Sequence, residues 1–188
     1  MNSPELHISA TAPWRALLTH AQVHAGFHLK RPVEEYLVNL LVHFVDQDLA
    51  PMDMPFQIDE QWIDRVANDC EPSKIALGDQ CLLCVGLLPE RVIHSGLPVS
   101  HFVEIGRGAY RDFSSERGSA LHSQLAEDFV PAMDALQTLR AMHSGAIPLD
   151  ALNAFYLWRD FGSVYGWQVL RELTAALPIT NYGPERIH

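Results

Sequence analysis

Along this chain apolar residues recur every three or four positions almost from end to end, and runs of strict alternation rich in β-branched residues are hard to find. The pattern predicts an all-α protein: a single-domain helical bundle of about six to eight helices around a central apolar helix. A first helix is expected from near Thr11 to near Leu29, with Pro13 in its first turn and Trp14, Leu17, Leu18, Val23 and Phe27 on its buried side. Pro32 opens a second, in which Val33, Tyr36, Leu37, Leu40, Leu41 and Phe44 form a wide apolar stripe. Residues 47–58 hold two prolines and read as an irregular connection, after which Asp59 is placed to cap a short helix through Trp62, Ile63 and Val66.

The stretch from Ser73 to Leu88 is nearly apolar on all sides and is the expected central helix. Pro89 ends it. A turn over HSGLPV leads to a helix from Ser100, in which Gly106 and Gly108 leave room for a close neighbour. A long helix is expected over 119–143, kinked at Pro131. After the SGAIP turn come two more, Leu149–Phe161 and Ser163–Leu177, separated at Gly162. Residues 1–10 and 179–188 read as flexible tails of the single domain 1–188.

Composition narrows the function classes. With 188 residues, 48% of them hydrophobic, the chain can bury a continuous core without disulfides or a structural metal. Thirteen Lys and Arg against 23 Asp and Glu give a formal charge of -10, and the only lysines are Lys30 and Lys74. Such a field repels nucleic acid and anionic lipid, so neither is expected as a partner. The apolar runs Tyr36–Val45 and Ile75–Leu88 are interrupted by Asn39, His43, Gly78 and Asp79, and both fall short of the roughly 20 residues of a membrane span. The N-terminal residues lack a secretory pattern, and three cysteines, Cys70, Cys81 and Cys84, suit a reducing cytoplasm.

Candidate chemistry centres on His20, His24 and His28, spaced four apart on the expected first helix. Neighbours at that spacing can chelate one ion, but His20 and His28 are about 12 Å apart along a straight helix, so a site would need a ligand from elsewhere. The chain has no HExxH and lacks the pair of Glu-x-x-His motifs that a di-iron bundle needs, its one such run being Glu185–His188 at the C-terminal end, which removes the common zinc-hydrolase and di-iron patterns. The Cys81-Leu-Leu-Cys84 pair lies inside the apolar helix and reads as core packing. Gly106-Arg-Gly108 lacks the preceding strand of a phosphate loop, and Glu104 with Arg107 reads as a surface pair.

Two functions of different class follow. The preferred one is a non-catalytic helical interaction or regulatory module without a cofactor. It binds another protein or a second copy of itself through the aromatic-rich Phe155, Trp158, Phe161, Tyr165 and Trp167, and homodimerisation is its simplest form. The other is a small helical oxygenase-like protein that binds haem or a transition metal through His20, His24 or His28, with Tyr36, His101 and Glu104 nearby.

Overall fold

The computed structural model describes residues 4–46, 72–144 and 149–175, which fold into helices and no strand. In chain order these are α1 (Pro4–Ala25), α2 (Arg31–Asp46), α3 (Pro72–Leu87), α4 (Pro89–Ser95), α5 (Val99–Arg117), α6 (Ala120–Glu127), α7 (Phe129–Ser144), α8 (Ala151–Phe161) and α9 (Val164–Ala175). The all-α bundle with a central apolar helix is the observed architecture. The irregular connection over 47–58, the short helix expected through Trp62 and Val66, residues 145–148 of the SGAIP turn, Cys70 and the C-terminal tail lie outside the described residues. Among the described residues no helix is long and apolar enough to cross a membrane.

Several boundaries differ from the expected ones, each for a local reason. α1 starts at Pro4 rather than Thr11, so Pro13 sits inside the helix on an exposed face. It ends at Ala25 because Gly26 takes the left-handed conformation, φ 77°, and the amides of Gly26 and Phe27 both return to the Gln22 carbonyl. The Gln22 side chain, itself buried, then accepts from the Leu29 amide at 2.6 Å and fixes the link to α2. Pro89 ends α3 and also starts α4, since a proline suits a first helical position, where the amide hydrogen has no partner. The long segment over 119–143 is two helices, α6 and α7, broken at Asp128.

α3 and α7 share the centre. Leu77, Cys81, Leu82, Cys84 and Val85 of α3 are buried against α5 and α7, and every residue of α7 from Ala132 to Leu139 is buried. α7 therefore carries polar groups into the core: Gln137 donates through Nε2 to the Val85 carbonyl in the last turn of α3 (2.8 Å), where that oxygen lacks a helical partner, while its Oε1 is buried without a hydrogen bond. The last two helices form a hairpin. Asp150 caps α8 by accepting from the amides of Leu152 and Asn153, both at 3.0 Å, and Gly162 at φ 71° turns the chain into α9. Gly166 lets α9 approach α8 so closely that a Cβ there would lie 2.8 Å from the Ala154 carbonyl oxygen.

Candidate functional site

One face of α3 is left uncovered by the other described residues. Ala76, Asp79, Gln80 and Leu83 follow one stripe of the helix, and they oppose a similar stripe of α2, Tyr36, Asn39, Leu40, His43 and Phe44. Between the two stripes lies a cleft of about 480 Å³. Its floor is polar. Asp79 Oδ1 accepts a hydrogen bond from the Tyr36 hydroxyl and another from the Tyr110 hydroxyl of α5, each at 2.6 Å. Gly78 makes this geometry possible: the ring of Tyr110 occupies the space a Cβ would take, 2.5 Å from where that atom would stand.

The rings around the carboxylate hold one another. Tyr36 and Tyr110 meet edge to face, centroids 6.3 Å apart, and His122 of α6 packs within 6.0 Å of each and 4.5 Å from Phe113. The His122 Nδ1 is 2.7 Å from the Ser119 hydroxyl, while its Nε2 is buried without a hydrogen bond. Burial pushes the Asp79 carboxyl up from its ordinary value, against the opposing pull of the two tyrosine hydroxyls. Both phenols are raised, first by burial and then by the Asp79 charge, so at neutral pH they stay protonated and serve as donors. Burial alone lowers the His122 imidazole.

The residues expected to bear chemistry are scattered. His20, His24 and His28 are all exposed, and the end of α1 at Ala25 puts His28 in the link beyond the helix, off the helical register of the other two. His20 borders a broad shallow groove along α1 with Thr11, Arg15 and Val23. Glu104 is exposed on α5 and His101 is half-buried there; Arg107 turns away from Glu104 and donates to the Ala126 carbonyl at 3.2 Å. Only Tyr36 of that group belongs to the cleft. Among the described residues no three His, Cys, Asp or Glu side chains gather in a set able to hold a metal ion. Cys81 and Cys84 are buried thiols, and burial raises both far from the thiolate range.

The aromatic set near the C-terminus divides. Phe155, Trp158 and Trp167 are exposed, joined by Leu152, Tyr156 and Val164, whereas Phe161 is partly buried and Tyr165 belongs to the core at 8% exposure. The Trp158 and Trp167 rings lie 5.0 Å apart across the hairpin, and Arg159 covers the Phe155 and Tyr156 rings at 5.3 and 4.9 Å.

A second buried carboxyl fastens this hairpin. Asp134 of α7 receives the Ser163 hydroxyl at 2.6 Å and the Val164 amide at 2.7 Å, and the same Ser163 oxygen accepts from the Gly166 amide at 2.9 Å. Burial pushes Asp134 up to about 7, opposed by those donors and the Tyr165 amide. Asp79, Tyr110, His122, Asp134 and Ser163 were not singled out as site residues by sequence. The one available signal was Asp79 itself, a carboxylate interrupting an apolar run. No protein-family model, curated protein sequence or solved structure matches the chain.

Proposed function

We propose that this chain is a non-catalytic cytoplasmic helical module that pairs with a second copy of itself through the α8–α9 hairpin. The observation that carries the reading is the exposed aromatic face. Trp158 and Trp167 keep 40% and 43% of their surface in water, and Phe155, Tyr156, Leu152 and Val164 are exposed around them. Large aromatics side by side on a surface leave apolar area that association removes from water, and such residues dominate binding energy at interfaces.

Charge favours a second copy over an acidic or basic partner. The chain as a whole carries -10, yet residues 150–175 hold two arginines against three carboxylates. This nearly neutral hairpin is where two acidic copies meet with least repulsion. Arg159 and Asp160, bonded to each other at 2.6 and 2.8 Å on the exposed side of α8, can exchange partners about a two-fold axis without unpairing a charge. The free, buried thiols of Cys81 and Cys84 agree with a reducing compartment.

Sedimentation equilibrium of the full chain tests the proposal. The expected result is a mass twice that of the chain, and conversion to monomer in Trp158→Glu and Trp167→Glu, both at exposed positions, with helical circular dichroism unchanged. A wild-type chain that stays monomeric at about 100 μM, or a dimer indifferent to both substitutions, overturns it.

A further inference from the structure

The cleft between α2 and α3 is a built site independent of the hairpin face, and its chemistry specifies a ligand class. A carboxylate offers about four acceptor directions. In Asp79 the two tyrosine hydroxyls converge on one oxygen, Oδ1, and both phenolic protons are spent there. The residue is at the same time part of the cleft wall. No lysine or arginine stands among the described residues lining that wall, and the one imidazole there, His43, has its Nδ1 2.9 Å from the Asn39 carbonyl. Asn39 and Gln80 add side-chain amides, which both accept and donate, Tyr36 and Phe44 add aromatic rings, and Leu40 and Leu83 add apolar surface. The one charged group among the described lining residues is thus the Asp79 carboxylate, set beside aromatic faces and hydrocarbon, inside a chain whose overall field attracts cations.

We infer that this cleft binds a small organic amine, its ammonium group on Asp79 and its apolar body against Leu40, Phe44 and Leu83. About 480 Å³ is within the range of cavities that enclose small-molecule ligands. The direction of Asp79's titration agrees: burial leaves its charge under-compensated, and a ligand cation supplies the compensation. The tyrosines act as positioning residues. By fixing Oδ1 they aim the carboxylate, and Gly78 keeps Tyr110 close enough to do so.

Calorimetric titration of the full chain at physiological salt tests the assignment, with n-hexylamine and 2-phenylethylamine as probes and hexanoate and 3-phenylpropionate as acids of matching shape. Expected is saturable binding of one amine per chain, with Kd of about 1 mM or tighter and the acids at least tenfold weaker. Asp79→Asn, whose amide oxygen still accepts from both tyrosines, should weaken the amines at least about tenfold. Ala76→Phe, at an exposed position on the cleft wall, should block them while leaving Asp79 and the core in place, so the result is readable even if Asp79→Asn does not fold. Absence of saturable amine binding by the wild-type chain, equal affinity for the acids, or affinity unchanged in Ala76→Phe overturns the inference, the last by showing only diffuse attraction to an acidic surface.

Discussion

Asp134 offers a quantitative test of how burial and helix capping compete at one carboxyl. It sits in α7 with 2% of its surface exposed and receives Ser163 Oγ and the Val164 amide at the start of α9. Capping favours the ionised form, whereas burial favours the neutral one, and in this fold burial prevails, raising the group from 3.8 to about 7. The folded chain therefore keeps a proton that the unfolded chain releases between those two values. Protons bound in excess by the folded state mean that stability falls as pH rises through this window: the contribution is fully present below about pH 4 and gone above about pH 7.

A gap of about three units at 1.36 kcal/mol each amounts to about 4 kcal/mol, a large share of a typical domain's 5–15 kcal/mol. Urea unfolding followed by circular dichroism, in the wild-type chain and Asp134→Asn, isolates the effect because every other titrating group is common to both. The amide imposes a fixed offset. Superimposed on it, the stability of the wild-type chain relative to the variant should drop by about 3 kcal/mol between about pH 4.5 and pH 7.5. A difference that is flat over that range, or that grows with pH, would refute the reasoning, because it would mean the donors and the α9 dipole hold the carboxylate ionised.

Three further outcomes follow from the same contacts. Gly78→Ala places a Cβ 2.5 Å from the ring of the fully buried Tyr110, so a loss of about 1–3 kcal/mol from overpacking should outweigh the roughly 1 kcal/mol gained in helix propensity. A urea midpoint equal to or above wild type would contradict it. Ser163→Ala removes both the cap of α9 and a donor to Asp134, and should cost about 1–2 kcal/mol in a thermal melt. Cys81 and Cys84 should resist a disulfide reagent in the native chain and react only in denaturant, as peptide mapping would show; modification of either under native conditions would contradict their burial.

Periodicity made the helices legible, because each amphipathic element must bury its apolar stripe whatever its neighbours are. Boundaries were less so. At Gly26 a left-handed residue outcompeted an apolar pattern that continued through Phe27 and Leu29, and with it His28 left the helix. The cleft was half visible: Tyr36 was singled out, but its bond to Asp79 spans 43 residues and that of Tyr110 spans 31, and no local pattern encodes such a pairing. What local pattern does show is the anomaly of Asp79 in an apolar run, since a carboxylate there must find donors after folding. The aromatic cluster was legible as composition only. Phe155, Phe161 and Tyr165 are alike as residues, and the turn at Gly162 decides which face water and which face the core.

The two indoles of the hairpin carry a spectroscopic consequence. Rings 5.0 Å apart with planes inclined at 31° have transition dipoles close enough to couple. Near-ultraviolet and far-ultraviolet circular dichroism of this chain should therefore contain an exciton couplet owed to Trp158 and Trp167 alone, one that vanishes when either is replaced. Because both indoles meet solvent, their emission responds to whatever settles on that face. The hairpin is in this sense a label the chain already carries: its signal follows occupancy of the surface and the joining of α8 to α9, with no dye attached.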